Sequence, residues 1–198
     1  MTALCWIQLI CGALFSLQKS CQHFFYAVHP APLCYNKNMK ILIVSDTHGD
    51  STAIKKITDM HSDYSIIIHA GDYARDLDFI GGTADKYSVK GNCDNPASPA
   101  PERLVITIGR SRIFLTHGHL QNAKGTYSQL VKESKENRAD ICIFGHTHLP
   151  LAENSDGILL INPGSAVKTR SRTGSASYAA AVLDESGDLL SAKIMTLK

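Results

Sequence analysis

At 198 residues, 44% hydrophobic and 19% charged, the chain has the length of one domain and enough apolar side chains to bury a core. A formal charge of +2 argues against the basic footprint of a nucleic-acid binder or a polybasic membrane face. Six cysteines do not make a disulfide framework, because Cys5, Cys11, Cys21 and Cys34 all precede Met39 while Cys93 and Cys142 belong to no CxxC pair; the body reads as a reduced, cytoplasmic protein.

Residues 1–38 contain no Asp or Glu, two lysines (Lys19 and Lys37) and six of the fourteen aromatic residues. Their apolar stretch lacks the positive start and cleavage site of a signal peptide. It is also shorter than the ~20 apolar residues of a membrane span. The segment is expected to be an extension outside the fold, consistent with a start assigned too early, and the domain is expected over residues 39–198. Its first strand is the apolar run 41–44. Ser51 is placed to cap a helix over 52–61, and further apolar runs at 66–68, 87–89, 113–115 and 141–144 suit buried strands. The amphipathic stretch 125–138 reads as a second helix. Strands alternating with helices imply βαβ units and a largely parallel sheet. Residues 149–153, 157–161, 176–183 and 188–196, separated by turn signals, read as an antiparallel meander closing the domain. The expected architecture is two packed sheets with helices outside, an α/β/β/α sandwich.

Each early strand ends in chemistry. The run 41–44 is followed by Ser45-Asp46-Thr47-His48-Gly49, 66–68 by His69-Ala70-Gly71-Asp72, and 87–89 by Lys90-Gly91-Asn92-Cys93-Asp94. The run 113–115 leads to Thr116-His117-Gly118-His119, and 141–144 to Gly145-His146-Thr147-His148. Parallel strands deliver their carboxyl ends to one edge of a sheet, where ligands bind in open α/β folds. An imidazole- and carboxylate-rich set without a thiolate cluster suits Mn²⁺, Fe²⁺, Ni²⁺ or Zn²⁺. It has ligands enough for two ions, which at about 3.5–4 Å apart clamp an in-line displacement at phosphorus.

At these motifs (D-x-H, G-D, G-N-x-D, H-G-H and G-H-T-H) the chain resembles the calcineurin-like metallophosphoesterases, and within them the small bacterial and archaeal phosphodiesterase branch related to the retromer subunit Vps29. The resemblance covers about four fifths of the chain. It implies a first metal on Asp46, His48 and His148, a second on Asn92, His117 and His146, and Asp72 bridging them, with Asp72, Asn92 and His117 doubling as the catalytic set. The implied activity is hydrolysis of a small-molecule phosphodiester by a bridging metal hydroxide, with two divalent ions, manganese first. A phosphomonoesterase and a Vps29-like non-catalytic scaffold are the alternatives. Nucleic acid and membrane are not expected partners, and homo-oligomerisation is left open. Asn162-Pro163-Gly164-Ser165 resembles a turn that lies near the site in this branch.

The remaining polar residues are given plainer roles. His69 is expected to be a hydrogen-bonded buried residue, Asp94 to hold its loop through backbone bonds, His61 to be solvated and Cys142 to act as a small core hydrophobe. His119 is divided between orienting substrate and a structural hydrogen bond. Arg75, Lys168, Arg170 and Arg172 are by default wet surface. In many relatives the third position of G-N-x-D is a histidine placed to protonate the leaving group; here it is Cys93.

Overall fold

Successive side chains of β2 (Met39–Val44) enter two different cores. Ile41 and Ile43 pack with Ile66, Ile68, Ile113 and Ile141, whereas Leu42 and Val44 join Ile54, Ile57 and Ile67. A strand apolar on both faces must be covered on both. Each such isoleucine contributes about 1.5–3 kcal/mol by burial. The computed structural model describes residues 25–28 and 38–197.

Two mixed sheets face each other. One has the order β11-β10-β2-β3-β4, with β3 at Ile66–His69, β4 at Asp85–Ser88, β10 at Ser177–Leu183 and β11 at Leu189–Thr196. The other runs β1-β5-β6-β7-β9-β8, comprising β1 (Phe25–Val28), β5 (Arg103–Ile108), β6 (Ser111–Thr116), β7 (Ile141–Ile143), β8 (Leu151–Ser155) and β9 (Ile158–Asn162). The core between them draws on both sheets. Outside the first sheet lie α1 (Ser51–Met60) and a 3₁₀ turn, Ala74–Phe79, whose Ile54, Ile57 and Leu77 cover Leu42, Val44 and Ile67. Outside the second lies α2 (Ser128–Glu136), with Leu130 and Val131 against Phe114, Cys142 and Leu160. These are the four expected layers. No helix among the described residues is long and apolar enough to cross a membrane.

The parallel parts of the sheets place the site. β2, β3 and β4 run parallel in one sheet, and β6, β7 and β9 run parallel in the other. The five motif loops leave the carboxyl ends of β2, β3, β4, β6 and β7, three from one sheet and two from its neighbour.

Several expectations need correction. The last third is not one meander: β8 and β9 form a hairpin in the six-stranded sheet, while β10 crosses to pair antiparallel with β2. Two hairpins in sequence look like a meander because local pairing cannot reveal a change of sheet. β5 is a strand the sequence reading does not include, although its residues RLVITI are mostly apolar and mostly buried. β4 lies at Asp85–Ser88 rather than 87–89. Ser51 begins α1 instead of capping it; Asp50 precedes the helix and makes no side-chain cap bond. α2 is shorter than 125–138 because residues 121–125 form turns first.

The segment expected outside the fold contributes β1, which pairs parallel with the edge of β5, Phe25 opposite Leu104. The rest of residues 1–37 lies outside the described residues. A chain starting at Met39 is therefore expected to keep its site but bare the β5 edge, with Ala27 no longer in the core. Calorimetry should show a Tm drop of about 2–4 °C per kcal/mol lost. An unchanged Tm would show that β1 adds nothing to stability.

Candidate metal centre

Each motif loop turns sharply at its strand end. Asp46, His48, Asp72, Tyr73, His146 and His148 all have positive φ, from 50° to 69°, a region that non-glycine residues enter only when the surroundings over-determine it. Gly91 and Gly145 permit the close approach this requires. A Cβ on Gly91 would overlap the Asp72 carboxylate, and one on Gly145 would overlap the Ser45 hydroxyl.

The loops bring together Asp46, His48, Asp72 and His148, each offering one ligand atom within 4.8 Å of the others. His148 Nε2 lies 3.1 Å from Asp46 Oδ1, and His48 Nε2 is 3.7 Å from Asp72 Oδ2. On the other side of Asp72, His117 Nε2 is 3.3 Å from Oδ1, and it is 4.0 Å from Asp46 Oδ1. His146 stacks edge-on against His117 with ring centroids 5.1 Å apart, and its backbone N–H donates to Asp46 Oδ2 at 3.2 Å. Asn92 sits in the loop whose next residue, Cys93, donates its N–H to Asp72 Oδ1 at 2.8 Å; the Asn92 amide itself donates to Cys93 Sγ. Asp72 thus faces histidines on both sides.

Two of the histidines have their tautomer set by the backbone. His117 Nδ1 is 2.7 Å from the Ala70 carbonyl, and His148 Nδ1 is 2.7 Å from that of Arg170. A carbonyl only accepts, so Nδ1 carries the proton and Nε2 points its lone pair into the site, the arrangement a metal-binding imidazole requires.

Electrostatics follow the crowding. Burial lowers the pKa of His48, Asp72 and Asp46 oppose that, and Arg170 adds to it, leaving it below normal. Burial and His117 bring His146 down to about 4. His117 is raised instead: burial would lower it, but its close approach to Asp72 and the charges of Asp46 and Asp72 prevail. His148 is raised first by the close approach of its ring to the Asp46 carboxylate. Burial would raise Asp72, yet its contacts with His117 and Cys93 hold it far below the usual carboxylate range.

A network behind the loops holds them. Gly71 N–H donates to His69 Nδ1, so the His69 proton is on Nε2, 2.9 Å from Thr47 Oγ1. Thr47 then donates to Asp76 Oδ2 at 2.6 Å, which also accepts from Gly49 N–H. His69 is fully buried, and burial drives it down to about 4, so it is neutral. Asp94 accepts from Gly91, Tyr73 and Ala74 N–H, tying the third loop to the second. Asn162 donates to the Gly145 carbonyl and Thr147, and Ser165 donates to the Asp46 carbonyl. The buried role expected of His69 and the backbone role expected of Asp94 both hold, and Cys142 is a buried core residue. His61 is a correction: its Nε2 lies 2.8 Å from the Tyr178 hydroxyl. His119 lies beside His117 and His146, its Nδ1 buried without a hydrogen bond.

Thr47 and Asp76 were not singled out in the sequence. Thr47 sits inside the D-x-H motif, but Asp76 lies in a 3₁₀ turn and carries no readable signal. Asp76→Ala would remove the carboxylate that accepts from the Thr47 hydroxyl and the Gly49 N–H, and is expected to weaken metal affinity about 10–100-fold. The exposed control Asp78→Ala should leave it unchanged. Metal titration checks both, and equal affinities would remove Asp76 from the account.

Comparison with known proteins agrees with this geometry. A family profile described as the calcineurin-like phosphoesterase superfamily domain matches residues 39–186. The probable metallophosphoesterase YsnB of Bacillus subtilis is 36% identical over 148 residues, 74% of this chain and 85% of its own length. Phosphodiesterase MJ0936 of Methanocaldococcus jannaschii is 31% identical over 144 residues, 64% of this chain and 83% of its own. The structure of vacuolar protein sorting 29 from Cryptosporidium parvum shares the fold, with a TM-score of 0.62 at 18% identity, covering 81% of this chain and 98% of that one.

Proposed function

This chain belongs to the calcineurin-like phosphoesterase superfamily, and on that premise we propose that it is a cytoplasmic phosphodiesterase acting on small molecules. Its two divalent ions, manganese first, are held by Asp46, His48 and His148 and by Asn92, His117 and His146, with Asp72 between them. Membership makes it a metal-dependent phosphoester hydrolase; the preference for diesters and the ligand set are our reading.

One observation carries that reading. Asp46 Oδ1, His48 Nε2 and His117 Nε2 are buried and make no hydrogen bond. An unsatisfied buried polar atom costs about 1–3 kcal/mol, and three aimed at one place fit a cation. When bound, the ions supply Lewis acidity at the phosphoryl oxygens and lower the pKa of the attacking water.

The chain's own residues do the rest. Asp46 and Asp72 bring the negative charge that draws divalent cations into a histidine-rich pocket. The Ala70 and Arg170 carbonyls keep the Nε2 lone pairs of His117 and His148 turned inward. His119, with its free Nδ1, is placed to hydrogen-bond a phosphoryl oxygen or the leaving group.

With Mn²⁺ added, bis(p-nitrophenyl) phosphate is expected to turn over faster than p-nitrophenyl phosphate. Chelation and Asp46→Ala should each abolish the activity. A faster monoester would make the enzyme a phosphomonoesterase. No turnover with Mn²⁺, Ni²⁺, Fe²⁺ or Zn²⁺, together with recovery of a stable partner complex, would make the fold a scaffold.

A further inference from the structure

Four bases border the metal loops without partners of their own. Lys56, Lys168, Arg170 and Arg172 are exposed and make no ion pair or side-chain hydrogen bond with a described residue. Several basic side chains elsewhere are matched, as in Lys40 with Asp63, Lys55 with Asp59 and Arg110 with Asp188, while, among the described residues, Arg75, Lys124, Arg138 and Lys193 are not. Residues 157–183 contain no Asp or Glu, so three of the four have no acidic neighbour in sequence.

Their placement is specific. Arg170 accepts the His148 Nδ1 hydrogen bond through its backbone, and Arg172 N–H donates to the His148 carbonyl at 3.3 Å. The loop is therefore tied to a residue of the metal centre at two points. The backbone of Arg170 thus lies against the His148 ring, at the rim of the metal centre. In the turn that leads into Arg170, closed by Arg170 N–H donating to the Val167 carbonyl at 3.0 Å, Lys168 lines a cleft of ≈ 290 Å³ together with Lys56, Asp50, Thr52 and Val167. That cleft begins two residues beyond His48. The one carboxylate in it, Asp50, is engaged by the Thr52 hydroxyl.

We propose that Lys56, Lys168 and Arg170 form an anion subsite beside the metal loops, and that the substrate is a phosphodiester carrying a second phosphate group bound there. The proposal rests on the phosphodiesterase reading of the metal centre. A plain diester has one charge, and the metal loops can meet it alone. A terminal phosphate adds nearly two charges and three acceptor oxygens, which a guanidinium fork and two mobile ammonium groups satisfy.

The test compares two substrates with the Mn²⁺-loaded full chain: the p-nitrophenyl ester of thymidine 5′-phosphate, with and without a 3′-phosphate. The 3′-phosphorylated ester is expected to have the higher kcat/KM by about tenfold or more, the scale of one charge-assisted hydrogen bond. That ratio should fall towards one in Arg170→Ala and in Lys56→Ala/Lys168→Ala, and at raised salt. Binding of inorganic pyrophosphate to the metal-free chain, followed by calorimetry, gives a second readout that the same variants should weaken. Turnover of both esters at equal kcat/KM, unchanged in the variants, would overturn the subsite and leave the phosphodiesterase reading intact. Pyrophosphate binding that the variants abolish, with no turnover of any ester, would keep the subsite and remove the phosphodiesterase.

Discussion

Asp72→Asn is expected to lower phosphodiester turnover by about 10³-fold or more and to deplete both ions together. The reason is position. One carboxylate oxygen faces His117 at 3.3 Å and the other faces His48 at 3.7 Å, so this side chain stands between the two groups of ligands. The amide keeps the shape but removes the charge, and it turns one acceptor into a donor aimed at a histidine. Asp72 Oδ1 also receives the Cys93 N–H, so the G-N-C-D loop should loosen in the same variant. His61→Ala is the control: it removes the bond to Tyr178 at the C-terminal end of α1 and should cost stability but not turnover. Elemental analysis beside a rate measurement decides the matter. A variant that retains one ion per chain and full activity would show a single-metal enzyme in which Asp72 bridges nothing.

The second large effect concerns the leaving group and turns on Cys93. Its thiol is exposed at the mouth of the centre. Burial of part of the side chain and the adjacent Asp72 push it up to about 11. It therefore stays protonated at neutral pH, but a thiol donates hydrogen bonds weakly. General acid catalysis is worth about 10²–10⁴-fold, most of it when the leaving group is basic. Wild type should cleave esters of acidic phenols quickly and simple alkyl esters slowly. Cys93→His should raise the alkyl rates and leave the aryl rates near their starting values. Rates across phenyl esters of graded pKa, in both proteins, check this. A shallow dependence in wild type that the substitution leaves unaltered would move the proton to Asp94, His119 or water.

The centre was far more legible in the sequence than the sheets around it. Asp46, His48, Asp72, His117, His146 and His148 could be found because each follows an apolar run, and a run that stops at Gly, Asp or His marks a strand end. The structure brings all six to one place. β10 could not be assigned to a sheet because its pairing with β2 spans about 140 residues, and nothing local in Ser177–Leu183 records that partner. β1 escaped for a different reason. Phe25 and Ala27 gain their places only against Leu104 and Ile106 on the edge of β5, and no charge or turn signal sets them apart from the residues before them. Asp76 escaped because its role is to accept from a side chain and a backbone N–H in another loop.

The backbone at the centre has a consequence for how this protein can change. Six non-glycine residues there hold left-handed φ values, and such residues cost on the order of 1–3 kcal/mol each. A whole domain is stable by only about 5–15 kcal/mol, so the burden is comparable to everything the cores leave over. Glycine carries no such penalty. Any lineage released from the need for its chemistry therefore has a downhill path open to it. Trading His48, His146 or His148 for glycine would make the chain hardier while emptying the pocket, and heat tolerance alone would favour the silent form. Where all six strained residues persist together, something other than folding must be retaining them.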